Sequence, residues 1–417
     1  MKKMAIPVLF FFSTFMLTSM SCSSNSSSSS SQNTPQPLAG PHWTTPLSST
    51  SFIFASPTLV ETTYNYLTIV STDDPARSFI LTTDKTSGAI SKLEIPDYKV
   101  VNFVQDPDGD ILSLNETGTD PDCQVRLTTF SPNGVKLKEA VFAGASLQYS
   151  NALAKCDDGV ILGIYKSNDG PKLVKSDFNG NTLWQKQYAN ELDSGLEGEE
   201  YIEPGVIQCI KKDVDGNFVI AQQFTKKNTE DLEDCGYVIY QINSAGELLW
   251  SKPYYLGVTA WQQDTFAREM LLLEDGSIVI EESWSGGSPG QDIRIVYLDN
   301  AGDFIRKLHT AHTGKGPMAL GSDQSVIYSN REYDPQLGKD ETVCCKFGLD
   351  GTIIWKKTYN PETTDGTQLN VRPRAIFRCS DTGFLIVCEY RVDNTTDHGV
   401  ALLKINGDGE LIGRLSL

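Results

Sequence analysis
A short turn that ends in glycine, entered from one apolar strand and left through another, recurs along this chain. Its fullest copies read Leu173-Val-Lys-Ser-Asp-Phe-Asn-Gly-Asn-Thr-Leu-Trp184, Val238-Ile-Tyr-Gln-Ile-Asn-Ser-Ala-Gly-Glu-Leu-Leu-Trp250 and Phe347-Gly-Leu-Asp-Gly-Thr-Ile-Ile-Trp355. The glycines fall at Gly88, Gly134, Gly180, Gly246, Gly302, Gly351 and Gly409, seven copies at intervals of 46 to 66 residues. A second turn precedes each by about 21 to 30 residues: Asp106-Pro-Asp-Gly109, Asp157-Asp-Gly159, Asp213-Val-Asp-Gly216, Glu274-Asp-Gly276, Ser322-Asp-Gln324 and Ser380-Asp-Thr-Gly383. The equivalent in the first unit falls near Glu61 to Asn65, where the signature is degenerate. Asp-Gly and Asn-Gly between short apolar runs are hairpin signals, because glycine takes the positive φ of a tight turn without a Cβ penalty.

Two turns per repeat give four strands, a to d. In the fourth unit these are expected at Val206 to Lys212, Asn217 to Phe224, Tyr237 to Asn243 and Glu247 to Tyr254. The runs are rich in Val, Ile, Leu and aromatic residues, often alternate with polar ones, and show no helical stripe beyond two turns. Seven such units predict an all-β, seven-bladed β-propeller of four-stranded antiparallel blades, closed into a ring that leaves only short edges. The units run Ser51–Asp97, Tyr98–Gly144, Ala145–Asn190, Ile202–Gly257, Thr259–Thr310, Gly314–Asn360 and Thr367–Leu417. The last carries its own candidate strand d, Glu410 to Leu417, while the stretch around Trp43 reads either as an extra strand or as tether, so the mode of closure stays open.

Ahead of the propeller, Lys2 and Lys3, an apolar run to about Leu17 and a polar region before Cys22 describe a signal peptide over residues 1–21. It resembles a lipoprotein signal, with Cys22 as the lipid-bearing residue and Ser21 before it, although Ser19 departs from the usual aliphatic residue. Residues 22–50 are expected to be a Ser-rich tether, too polar to bury a core. The export reading places the domain, residues 51–417, at the outer membrane on a lipid anchor, on its periplasmic or cell-surface side. The net charge of −18, dispersed along the chain, excludes a basic stripe for nucleic acid or a flat contact with anionic lipid. A soluble monomer is expected. Of nine cysteines, the eight beyond Cys22 invite disulfides in an exported protein, yet buried thiols fit as well.

The pattern Asp-x-Asp-Gly … Leu-Val-Lys-x-Asp-x-Asn-Gly-x-x-x-Trp resembles the quinoprotein-like, or PQQ-like, propeller repeats of bacterial envelope lipoproteins, diffusely over about residues 50 to 417. In that family the tryptophan is structural and docks one blade on the next, a role the resemblance gives to Trp184, Trp250 and Trp355. The family's calcium-ligating acids find no counterparts. The vicinal pair Cys344-Cys345, which some quinoprotein dehydrogenases carry beside their cofactor, sits mid-strand here, where successive side chains point to opposite faces. No cofactor is expected.

In such a blade the a–b and c–d turns share one face, and the longer, dissimilar b–c and d–a loops share the other, where function is expected. Candidate ligand-binding residues near that face are Trp261 and Trp284, which break the repeat, and Arg331, Tyr333, Arg372 and Arg374. Aromatic faces suit sugar rings, and arginine forks suit carboxylates. The acidic d–a loop Tyr188 to Glu203 reads as solvated surface. His309 and His312 lack a third ligand, and the Asp-x-Asp-Gly turns lack a full calcium spacing, so no metal is expected. No catalytic residues can be assigned. The leading expectation is a non-catalytic, envelope-anchored module that binds a protein partner or a glycan. The alternative is a carbohydrate-active enzyme, a glycoside hydrolase or lyase, with a central pocket marked by converging carboxylates. A third reading is an assembly lipoprotein that docks another envelope component.

Overall fold
The repeated glycine turns are three-residue hairpin loops. In each described copy the glycine amide bonds back three residues, as Gly180 N does to Asp177 O at 3.0 Å. Gly134, Gly180, Gly246, Gly302, Gly351 and Gly409 all hold φ between +73° and +86°. The first residue of the turn then caps it: Asp177 Oδ1 accepts from the amides of Asn179 and Asn181, both at 2.8 Å. Asp106, Asp213, Asn243, Asp299 and Asn406 do the same. The aspartates therefore serve their own backbone, and among the described residues no cluster of metal-ligating side chains occurs.

The computed structural model describes residues 43–47, 53–72, 77–86, 89–96, 98–118, 123–147, 151–166, 169–188, 201–227, 233–254, 264–285, 292–310, 316–334, 339–359, 369–392 and 398–412. All belong to one unit, Thr34–Leu417. The strands fall into seven antiparallel blades. Blade 1 has a split strand a (Ile53–Ala55 and Val60–Glu61), then Asn65–Thr72, Arg77–Asp84 and Ile90–Pro96. Blade 2 comprises Lys99–Gln105, Ile111–Thr117, Gln124–Phe130 and Lys136–Ala143; blade 3, Leu153–Lys155, Gly159–Lys166, Gly170–Asp177 and Thr182–Lys186. Blade 4 comprises Tyr201–Lys212, Phe218–Lys227, Glu233–Ile242 and Leu248–Tyr254; blade 5, Asp264–Leu272, Ile278–Ser285, Asp292–Leu298 and Phe304–Thr310. Blade 6 comprises Met318–Leu320, Val326–Asp334, Lys339–Phe347 and Ile353–Tyr359; blade 7 opens with Leu369–Arg378, Phe384–Val392 and His398–Ile405. The strands of blade 4 outrun their expected ends, so Glu203 lies in strand a rather than in the preceding loop.

The fourth strand of blade 7 is Trp43–Leu47, which pairs antiparallel with His398–Ile405 from Trp43 opposite Leu402 to Leu47 opposite His398. This corrects the assignment of Glu410 to Leu417 as strand d, and it takes residues ahead of Ser51 into the folded ring. Among the described residues the C-terminal segment also reaches this edge, through the Ile405–Leu411 bridge and Ile412 N to Lys404 O at 2.9 Å.

Seven apolar clusters each join two neighbouring blades. One of them packs Tyr66, Val70 and Leu81 of blade 1 on Leu385, Val387 and Val400 of blade 7, which completes the ring. Strand b is buried on both faces, as Phe384 to Tyr390 are, and strand d is half-exposed. The predicted tryptophan joints are present. Trp184 Nε1 donates to Ser244 O at 3.3 Å and Trp355 Nε1 to Gly407 O at 3.1 Å, each on the next blade's c–d turn. Leu93, Ala140 and Leu308 take the corresponding place against Gly134, Gly180 and Gly351.

Cys344 faces the cluster between blades 6 and 7, and Cys345 the one between blades 5 and 6. Cys156, Cys209, Cys344, Cys379 and Cys388 are buried thiols rather than disulfides. Burial pushes the Cys156, Cys209 and Cys344 thiols up to about 12, which keeps them protonated and unreactive.

Candidate functional site: an axial cavity
Strand a carries a bulge in four blades. Its pairing with strand b slips between Val100 and Asn102, Ile207 and Cys209, Ala267 and Glu269, and Pro373 and Ala375. The extra residues are Val101, Gln208, Arg268 and Arg374. A bulge leaves its extra residue out of the ladder and re-aims its side chain. Each stands eight positions before the last residue of its a–b turn: Gly109, Gly216, Gly276 and Thr382. In blade 7 the left-handed position is Thr382 (φ 65°), one residue earlier than the glycine of Ser380-Asp-Thr-Gly383 suggests. The same count from Asn65, Gly159 and Gln324 reaches Pro57, Asn151 and Gly316.

Five of these seven residues, Pro57, Asn151, Arg268, Gly316 and Arg374, line one cavity of about 220 Å³. Arg372, Glu269 and Glu281 line it too. Blades 1, 3, 5, 6 and 7 all contribute, which only a cavity on the ring axis permits. Its size suits one sugar-ring- or amino-acid-sized group and is below the usual range of about 300–1,000 Å³ for drug-sized ligands.

The blade 7 wall is cationic. Arg374 forks the buried carboxylate of Glu389, through Nε at 3.1 Å and a closer Nη2 contact. Arg391 Nε lies 3.8 Å from the other Glu389 oxygen. Arg372, half-buried, has no hydrogen-bond or ion-pair partner among the described residues. Burial, and then the charges of Arg374 and Arg331, hold its guanidinium below the ordinary arginine range. Arg331, Arg374, Arg391 and the Glu389 carboxylate thus all bear on Arg372.

The blade 5 wall carries two carboxylates and an arginine. Glu269 and Glu281 face each other across strands a and b. Each accepts an amide from the segment entering blade 6: Met318 N to Glu269 Oε2 at 2.9 Å, and Gly316 N to Glu281 Oε1 at 3.3 Å. Burial pushes the Glu269 carboxyl up, against the pull of Lys211 and the Met318 amide. Arg268, on the same wall, is bonded through Nε to Ser283 Oγ at 2.8 Å. Asn151 donates to Arg268 O at 3.2 Å, while its Oδ1 is buried without a partner. Gln208 accepts from Ala267 N at 3.0 Å and leaves Nε2 buried and unpartnered.

Of the residues expected at the site, Arg372 and Arg374 come together in this cavity. Arg331 lies on strand b of blade 6, exposed, and its charge bears on Arg372. Tyr333 and Trp284 occupy strand b of blades 6 and 5, opposite Asp340 and Asp292, and their side chains are outside the described set. Trp261 and Cys22 lie outside the described residues, as does His312; His309 pairs with Arg294 in blade 5. Sequence reading missed Arg268, Glu269, Glu281 and Asn151. The eight-residue offset from the a–b turn was the available signal for Arg268 and Asn151.

No protein-family model matches the chain, and no curated protein does. Among solved structures it is similar to the polysaccharide lyase Uly1, at 9% identity and a TM-score of 0.49, over 84% of this chain and 90% of that one. It is also similar to the Dos1 propeller, at 10% identity and a TM-score of 0.40, over 86% and 95%. A third similarity is to the β-propeller domain of the Trilobed protease from Pyrococcus furiosus, at 10% identity and a TM-score of 0.46, over 88% and 96%.

Proposed function
We propose that this chain is an exported propeller, lipid-anchored through Cys22, whose axial cavity binds a small anionic group without turning it over. The group would be the carboxylate of an acidic sugar unit or of an acidic peptide from a protein partner. One observation carries the reading: among the described residues Arg372 is a half-buried cation with no hydrogen-bond or ion-pair partner, and the charges of Arg374, Arg331 and Arg391 outweigh that of Glu389 around it. Such an arrangement costs stability by itself and is relieved by an anion. The quinoprotein-like resemblance adds an envelope setting but no cofactor site. Calorimetric titration of the full-length protein with uronic-acid oligosaccharides and with acidic peptides tests the proposal. Binding that Arg372→Gln weakens about tenfold or more supports it. Equal binding by the wild type and Arg372→Gln would sink it.

The facing pair Glu269 and Glu281 favours a second reading, a carbohydrate-active enzyme, because paired carboxyls near an axis with one raised are what acid–base cleavage requires. Against it, both carboxyls hold amides of blade 6 and so also act as a joint between blades. Release of product from acidic glycans, abolished by Glu269→Gln, would decide for the enzyme.

A further inference from the structure
The main chain along one wall of the axial cavity favours one of the two ligands named above, a choice that rests on the anion-binding reading. Six consecutive residues of blade 7, from Arg372 to Phe377, line the cavity. They belong to strand a, which ladders with strand b and stands at the inner edge of its sheet. An antiparallel edge strand turns the N–H and C=O of alternate residues away from its ladder. Among the described residues, Arg372, Ala375 and Ile376 make no main-chain hydrogen bond outside that ladder. Pro373, which has no N–H, and the bulge at Arg374 interrupt the edge, so it can pair with one or two peptide groups and not with a whole strand. The volume of about 220 Å³ sets the same limit. Every seam between neighbouring blades holds an apolar cluster, so a ligand comes in along the axis and presents its end to the cavity. Arg372, with no hydrogen-bond or ion-pair partner among the described residues, offers its guanidinium fork to an anion on that end. Nothing comparable serves a sugar ring: the one aromatic among the lining residues, Phe377, is 9% exposed.

We infer that the axial cavity captures the C-terminus of a peptide from a protein partner, with its terminal carboxylate on Arg372 and its last peptide group on the inner edge of the strand Leu369–Arg378. This is strand addition reduced to one residue and joined to carboxylate capture. Four probes test it by calorimetric titration of the full-length protein: acetyl-trialanine with a free carboxylate, its C-terminal amide, the same acid N-methylated at its last nitrogen, and D-galacturonate. The free acid should bind about tenfold or more tightly than the amide. It should bind about threefold or more tightly than the N-methylated acid, which lacks the donor for the strand edge, and more tightly than D-galacturonate. Arg372→Gln should erase the difference between acid and amide, and a melting curve establishes that this variant is folded. If the amide or the N-methylated acid binds as well as the free acid, or D-galacturonate binds more tightly, the peptide terminus is wrong; the anion site then stands where Arg372→Gln weakens the acid that binds. If no acid binds the wild type, or Arg372→Gln changes nothing, both fall.

Discussion

Gly302 is constrained twice. Its φ of +78° is costly for any residue with a Cβ, and a methyl group built there would lie 2.7 Å from the Trp250 ring of the preceding blade. Gly144, at φ +64°, has nothing within 4 Å of the same methyl. Gly302→Ala should thus cost about 2–4 kcal/mol, from backbone strain plus overpacking, and Gly144→Ala about 1–2 kcal/mol. Urea unfolding of the two variants measures the difference. Glu269 sets the opposite expectation. Its folded carboxyl is raised by burial, so the native state holds its proton to higher pH than the unfolded chain does. Stability therefore falls as pH climbs from the unfolded value of about 4.3 through the folded one. Glu269→Gln, which keeps an acceptor for Met318, should raise Tm at pH 7 and lose that gain below about pH 4. A variant less stable at pH 7 would show that the carboxylate is a structural asset and not a functional load.

At the scale of the element, the informative strand is Leu369–Arg378, the first of blade 7. Two arginines separated by one residue play opposite parts because a bulge falls between Pro373 and Ala375. Arg374, turned out of the ladder, neutralises Glu389, whose side chain is 4% exposed. Its removal strands a buried carboxylate, so Arg374→Ala should destabilise by about 3–5 kcal/mol. Arg372 has no hydrogen-bond or ion-pair partner among the described residues. Arg372→Ala should leave stability unchanged or raise it by up to about 1 kcal/mol, while abolishing ligand binding. Chemical denaturation alongside titration separates the two. The sequence placed both arginines in the seventh unit, near the b–c and d–a face. It could not show the bulge, because a one-residue slip is decided by how strand a packs around the axis and leaves no mark on local hydrophobic alternation.

For the whole molecule, the decisive joint is the strand Trp43–Leu47. Its five register pairs with blade 7 supply the missing fourth strand, next to an apolar seam between blades 7 and 1. Glu61 reinforces that seam, accepting from Ser380 N at 2.8 Å and from Lys85 Nζ at 2.6 Å. Deleting residues 43–47 should lower stability by about 1–5 kcal/mol, at a few tenths to one per cross-strand pair, without unfolding the ring. Differential scanning calorimetry reads the loss. An unchanged Tm would mean that the C-terminal residues after Leu411 can close the blade in its place.

The glycine turns, the alternating runs between them and the tryptophans at a fixed offset determined the number of blades, their four strands and the joints between neighbours. All three are local or nearest-neighbour properties: a φ, a period of two, one side chain against the next repeat. The site was legible only in fragments. Arg372 and Arg374 stood out as donors, but Glu269, Glu281, Asn151 and Arg268 come from other blades, as many as 223 positions away in the case of Asn151 and Arg374. Only closure of the ring brings them to one axis. The strand that closes it was ambiguous for the same reason: Trp43–Leu47 finds its partner at His398–Ile405, at the far end of the chain. Pairing at that separation depends on the whole ring having formed, which no local pattern of residues encodes.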